Sequence, residues 1–312
     1  MGETSTIQYL TNKQVDRRKW DQCVEGSANG LIYARSAYLD HICCHWDALV
    51  VGNYEAVMPL PWKKKYLLRY IYAPPFIQQL GIIGHTSGLD ASSLISLVSK
   101  RFFLGDLFFN FANDMVQSLP VTAKTNLVID LNRSFPELER RFTDHLRRNL
   151  KAVNEHEVNI TDDVPCERII DLFKEHYERR TPHVRSKDYG RFLKLCLELE
   201  RSGNCFTRAV KSRDNQLLSA GIFLKDRKRI YHILSATTEQ GRSQRTNHYL
   251  LASVIKEFAG QDLLFDFEGS DIEGVKRFYL NFGPDNQPYF YYHFEPLSFR
   301  KVFRYKLTLS LY

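Results

Sequence analysis

A chain of 312 residues is longer than one hydrophobic core usually fills, so two domains are expected, and 44% hydrophobic with 25% charged residues excludes a disordered or low-complexity chain. The formal charge of +7 points to an anionic partner, whether a phosphorylated cofactor, a nucleic acid or an acidic membrane surface, without choosing among them. No apolar run reaches the roughly 18 residues of a membrane span and the chain start lacks a secretion-signal pattern, so a cytoplasmic location is expected.

Six cysteines, Cys23, Cys43, Cys44, Cys166, Cys196 and Cys205, include no C-x-x-C pair and read as reduced core thiols. The first clear helix pattern is Ser36 to Trp46, with Ser36 as N-cap and Tyr38, Leu39, Ile42, Cys43 and Trp46 on one stripe. His41 and His45 are four apart on it, but no third ligand accompanies them, so no metal is expected. From Ala48 to Ala73 the sequence reads as an antiparallel meander: ALVV, a Gly52-Asn53 turn, EAVMPLP, a basic turn Trp62 to Lys65, then YLLRYIYA. An amphipathic helix, SSLISLVSKRFF, and an apolar strand, LFFNFAND, follow. Pro120 and a polar turn then place a boundary near Ala123, giving domains 1–123 and 124–312.

The second half opens with a long charged helix, Phe135 to Val158, running into an edge strand, and a second helix, Glu167 to Arg179, with Ile169, Ile170, Phe173 and Tyr177 inward. Between Thr207 and Ala236 the meander recurs as TRAVK, an Asp214-Asn215 turn, QLLSAGIFL, a basic turn Lys225 to Lys228, and RIYHILSA. The helix HYLLASVIKEFAG and the strand LLFDFEGSD complete the same order. Asn53 and Asn215 are 162 residues apart and Phe111 and Phe267 are 156 apart, so one unit repeated in tandem is expected, in an α+β fold. The aromatic run Tyr289 to Phe294 could stack nucleobases, but its alternation favours a late β-strand.

Two constellations carry chemistry. The loop before the second-copy helix, Gln240, Gly241, Arg242, Ser243, Gln244 and Arg245, combines a helix start, a glycine and two arginines, as a phosphate site would; the plain alternative is a solvated helix start capped by Ser243 or Thr246. The strand LLFDFEGSD puts Asp266 and Glu268 on one face ahead of a Gly269-Ser270 turn, where a carboxylate can serve as general base; Asp271 is assigned to capping the next helix. No G-x-S-x-G, G-x-x-x-x-G-K-[ST], H-E-x-x-H or clustered zinc spacing is present.

Two longer stretches, LERRFTDHLRRNLKAVNEHEVNI and FDFEGSDIEGVKRFYLNFG, carry a resemblance to the FemAB-like, GNAT-type acyltransferases with two tandem GNAT domains. The first resembles the helix opening that family's second domain, and the second its closing signature. The resemblance implies two mixed, mostly antiparallel sheets flanked by helices, and an N-acyltransferase whose donor and amine acceptor meet between the domains. The implied donor is acetyl-CoA or another acyl-CoA held at Gln240 to Arg245, with a backbone N–H on the strand Ile230 to Ala236 polarising the acyl carbonyl. The implied acceptor is a small or cell-envelope amine. The alternatives are aminoacyl-tRNA-dependent transfer, with tRNA as partner, and a binding protein that retains the fold without the chemistry. Two departures bear on this. The family loop Q/R-x-x-G-x-G/A is met by a single glycine, which counts against classical CoA binding, and Phe278-Tyr279 stands where relatives carry Phe-Lys. The missing lysine implies lost tRNA-dependent transfer, a different acceptor, or Tyr279 acting as the acid. The first copy has Ala73-Pro74-Pro75-Phe76 at the place of the candidate loop, and two prolines remove two N–H donors, so only the second copy is expected to hold the donor, with Lys63, Lys64 and Lys65 at the rim of the cleft.

Overall fold

The computed structural model describes residues 6–153, 157–269 and 271–296, so Ser270 of the expected Gly-Ser turn lies outside the described residues. In chain order the elements are β1 (Ile7–Leu10), α1 (Arg17–Gly26), α2 (Ser36–Ile42), β2 (His45–Val51), β3 (Ala56–Lys65), β4 (Leu68–Ile71), β5 (Ile83–Gly84), α3 (Ala91–Ser99), β6 (Leu104–Phe109) and β7 (Thr122–Lys124). They continue with β8 (Leu127–Asp130), α4 (Phe135–Arg141), α5 (Asp144–Ala152), β9 (Val158–Thr161), α6 (Cys166–Tyr177), α7 (Ser186–Arg201), β10 (Cys205–Ser212), β11 (Leu217–Lys225) and β12 (Arg229–Thr237). The last are α8 (Glu239–Ser243), α9 (Thr246–Phe258), β13 (Leu264–Asp266), α10 (Glu273–Leu280), β14 (Asp285–Asn286) and β15 (Tyr289–Phe294).

Two units result: one of residues up to Lys124 together with those from Pro288 on, the other of Thr125–Gln287. The first unit's sheet runs β1-β2-β3-β4-β6-β15-β7, with β5 beside β3. The second unit's runs β9-β10-β11-β12-β13-β8-β14, and the same order of connections is present in both. In each, three antiparallel strands are followed by a helix and a parallel strand, β6 beside β4 and β13 beside β12. The fold is mixed α/β with helices flanking each sheet. The domain limits differ from the expected 1–123 and 124–312 at the C-terminal end. β8, the first strand of the second unit's segment, lies between β13 and β14 in that unit's sheet, whereas β15, which follows the segment, lies between β6 and β7 in the first unit's. The aromatic alternation of β15 makes this placement favourable, because Phe290 and Phe294 are buried in the first unit's core.

Local chemistry explains several boundaries. The helix expected over Ser36 to Trp46 stops at Ile42, Cys43 turns extended, and the remainder becomes β2. Its N-cap is Arg35; Ser36 is the first helical residue, its N–H and hydroxyl both donating to Asp21. His41 and His45 are therefore on different elements, His45 stacking on Trp62 at 4.5 Å. The basic turn expected at Trp62 to Lys65 is strand: those residues pair with β4, and the chain reverses at Tyr66, whose φ is +54°. The long helix expected over Phe135 to Val158 is two, α4 starting at a Ser134–Glu137 capping box and α5 at Thr143, whose Oγ1 accepts from Leu146 N. Between them Phe142 turns extended and buries its ring against Phe282 at 5.6 Å. α10 starts at Glu273 with Ile272, not Asp271, at the N-cap position.

Pro59 and Pro61 sit within β3, where a proline normally breaks a ladder. Tyr72 N donates to Pro61 O, so both prolines turn their nitrogens to the side of β4 and β5. That side is open between Val57, the last residue paired with β5, and Trp62, the first paired with β4, so no ladder bond is lost. A small open cleft lies there, lined by Met58, Pro59, Pro61, Tyr72 and Leu107 among others.

The second unit contains a buried ion pair. Arg229 Nη1 donates to Asp266 Oδ2 at 2.7 Å, Arg229 Nη2 to Gln287 Oε1 at 2.6 Å, and Asn126 Nδ2 to the same Asp266 oxygen at 3.2 Å. Both charged side chains are at most 4% exposed. Removing one partner leaves the other charge buried and uncompensated, so Arg229→Met is expected to destabilise the chain by about 3–5 kcal/mol, and the double variant Arg229→Met/Asp266→Asn to recover part of that loss, read by urea unfolding.

Candidate active site

β12 and β13 run parallel for three pairs only, Arg229↔Leu264, Ile230↔Phe265 and Tyr231↔Asp266. Beyond them Phe267 N donates to Leu127 O on β8, and the chain bends away. The six residues His232–Thr237 of β12 thus continue past the end of β13. On its other edge β12 carries a bulge: Leu234 faces Ile222 and His232 faces Phe223, leaving Ile233 without an opposite residue. A bulge re-aims backbone groups, and an unpaired strand edge presents N–H and C=O groups to an extended ligand.

Asp266, expected as a general base, is committed elsewhere. Its second oxygen accepts Glu268 N at 2.9 Å, so the carboxylate holds an arginine, an asparagine and the backbone of the following turn. It is a positioning residue, and what it positions is Glu268. β13 ends at Asp266, and Glu268 adopts a left-handed φ of +63°, unusual for a non-glycine residue. Burial pushes the Glu268 carboxyl well above the ordinary range. Tyr279, on α10, packs its ring on Phe267 at 4.8 Å; burial first, then the Glu268 carboxylate and Tyr177, hold its phenol protonated.

His232 belongs with these residues and carried no signal in the sequence beyond a histidine inside the apolar strand RIYHILSA. It is 3% exposed, neither ring nitrogen has a hydrogen-bond partner among the described residues, and its ring is stacked on Phe223 at 5.3 Å with Tyr279 edge-on at 5.9 Å. Burial lowers its pKa to about 4, keeping it neutral. Tyr177, at the end of α6, accepts from Arg242 Nη1 at 3.4 Å.

The candidate phosphate loop is built differently from expectation. Gly241 N donates to Thr238 Oγ1, and the N–H groups of Arg242, Gln244 and Arg245 donate to Thr238, Gln240 and Arg242 carbonyls, so four of the six amides are spent inside the chain. Gly241 is required by packing: a Cβ there would stand 2.1 Å from Leu218 O. Arg242 Nη1 is drawn to Thr237 O at 2.8 Å, Ser243 Oγ donates to Gln240 O, and neither Ser243 nor Thr246 caps α9, which starts after a left-handed Arg245. Gln240, Gln244 and Arg245 remain exposed.

Residues 140–289 match the acetyltransferase (GNAT) domain family. The matched stretch takes in the three-stranded meander, α9, β13 and α10, and with them all the residues described above except Leu127. Among solved structures the chain is similar to FemX, with TM-score 0.67, 13% identity, and coverage of 95% of this chain and 99% of that one. It is also similar to the C-terminal domain of a putative lysylphosphatidylglycerol synthetase from Agrobacterium fabrum (TM-score 0.57, 10% identity, 90% and 92% covered). A third is a GCN5-related N-acetyltransferase from Sphaerobacter thermophilus (0.51, 10%, 94% and 96%). No curated protein matches the chain significantly. The fold of these structures is thus present over nearly the whole length of the chain.

The buried imidazole gives a test of this geometry. With its folded pKa near 4 and an unfolded value near 6.5, His232 binds more protons in the unfolded chain between those limits, so it costs stability as pH falls. His232→Phe, which keeps the ring stack, is expected to lose less stability than the parent between pH 6.5 and 4, by up to about 3 kcal/mol in urea unfolding.

Proposed function

We propose that the second unit is an N-acyltransferase that receives its acyl donor along the open edge of β12 and uses Glu268 as base and Tyr279 as acid. The observation that carries this reading is that β12 runs six residues past the end of β13 at the point where the half-buried Glu268 carboxylate lies close enough to raise the pKa of the half-buried Tyr279 phenol. An acyl carbonyl accepting an N–H from the bulged segment around Ile233 would have its developing oxyanion stabilised by a donor fixed before reaction. The acceptor amine attacks the carbonyl carbon; Glu268 takes the amine proton, and the Tyr279 hydroxyl protonates the departing thiolate or alkoxide. A raised carboxyl pKa suits the base, because a carboxylate at its ordinary value is too weak to deprotonate an ammonium near neutrality.

The donor we favour is an acyl thioester such as acyl-CoA, with a small or cell-envelope amine as acceptor. An aminoacyl ester on tRNA is the second reading, supported by the four loop amides that are already spent, which leaves a pyrophosphate fewer backbone donors, and by the net charge of +7. On either reading the chain acts in the cytoplasm and arose by duplication of one unit.

Thiol release measured over a panel of acyl-CoAs and amines should find a turned-over pair, with Glu268→Gln lowering kcat roughly 10²–10⁴-fold and Tyr279→Phe roughly 10²-fold at unchanged thermal stability. The rate should rise with pH through the raised carboxyl pKa and lose that limb in Glu268→Gln. No turnover with any thioester, together with transfer from charged tRNA, would select the ester donor; inactivity with both would leave a binding protein.

A further inference from the structure

Three of the six cysteines, far apart in sequence, meet inside the second unit. Cys166 is the first residue of α6, Cys196 lies within α7 and Cys205 is the first residue of β10. They are 2%, 0% and 4% exposed. Their sulfur atoms all lie within 4.8 Å of one another, with Cys166 Sγ and Cys205 Sγ 3.8 Å apart. Among the described residues no other group of three histidine, cysteine or acidic side chains converges in this way.

We propose that Cys166, Cys196 and Cys205 form a buried three-thiolate site for a thiophilic d10 metal ion of the Zn(II) or Cu(I) class. The distances suit it. Sulfurs bound at about 2.3 Å to one ion lie about 3.8 Å apart in tetrahedral and about 4.0 Å apart in trigonal geometry, so little movement is needed to close the site. A disulfide, in contrast, needs two sulfurs to approach to about 2.05 Å and leaves the third thiol over. The donor set selects the ion: three soft sulfurs with no carboxylate or imidazole among them exclude magnesium and calcium and favour Zn(II) and Cu(I). Loading breaks three S–H bonds, forms three metal–sulfur bonds and releases three protons to solvent.

The site would be structural. α6, α7 and β10 each contribute one ligand, so an ion there ties two helices to the sheet. α6 also packs on β12 and ends at Tyr177, beside Arg242 and Tyr279. The spacings of 30 and 9 residues match no metal motif, which is why the cysteines read as isolated core thiols in the sequence.

The test titrates Cd2+ into the full chain, stripped with chelator and kept reduced with a phosphine under argon, and follows the sulfur-to-cadmium charge-transfer absorption. One ion per chain is expected, displaced by Zn2+ or Cu+ and not by Mg2+, with proton release and a rise in thermal unfolding temperature. Cys196→Ser should weaken binding at least tenfold, and Cys23→Ser and Cys44→Ser should leave it unchanged. Should circular dichroism show that Cys196→Ser fails to fold, Cys166→Ala and Cys205→Ala are read by the same titration. No saturable absorption in the parent protein, or absorption retained in the folded cluster variants, would overturn the site.

Discussion

The buried Arg229–Asp266 pair is the constraint on which the second unit's architecture turns. Taking both charges out of water costs several kcal/mol per ion, and a single contact does not repay that. The cost is offset because further partners are in place: Asn126 on one Asp266 oxygen, Glu268 N on the other, Gln287 on the far guanidinium nitrogen. These partners come from the start of β12, the end of β13, the residue before β8 and the residue after β14. One polar knot therefore fixes four strand ends in one place. It also sets where pairing stops, since Asp266 is the last residue of β13 on the ladder and its side chain holds the turn that follows.

What lies beyond the knot is governed by desolvation. Glu268, Tyr279 and His232 are all driven toward their neutral forms by burial, the carboxyl and phenol upward and the imidazole downward. Phe223, Phe265, Phe267 and Phe278 surround them. A low-dielectric wall of this kind strengthens any hydrogen bond to a developing charge and excludes water that would compete as acceptor. The left-handed backbone at Glu268 belongs to the same arrangement, because the strain of a non-glycine residue there is sustained by the bond from its own N–H to Asp266.

Much of the fold was legible because strands and helices are written in local patterns. The second meander, with its turns at Asp214-Asn215 and around Asp226, and the helix α9 stand where alternation and 3.6-residue periodicity put them. Errors arose where tertiary partners overrode local pattern. Trp62 to Lys65 read as a turn on charge but pair as strand, and the helix pattern at Ser36 to Trp46 yields to strand once Trp46 can pair with Pro61. In the proposed site, Glu268 was raised from its place at a strand end and Tyr279 only through the family resemblance, whereas the tie of Asp266 to Arg229, 37 residues earlier, is revealed by nothing in LLFDFEGSD. Gly241 looked like a phosphate glycine for a similar reason: the carbonyl of Leu218 that demands it lies on another strand.

The division of the chain was misread for a reason that the sheet order makes plain. β8 and β15 take the same place in the strand order of the two sheets, β8 from within its own unit's stretch of chain and β15 by returning to the first unit. β8 and β15 begin 162 residues apart, the same separation as Asn53 and Asn215 in the two meander turns. The return of β15 thus gives the two sheets the same order of strands. A boundary sought as a single cut must fail here, because the first unit's sheet is completed by a strand that follows the whole of the second unit's segment. Linear reading finds the matched spacings, but it has no local signal for which sheet a strand will join, since an alternating aromatic run such as Tyr289 to Phe294 satisfies either core.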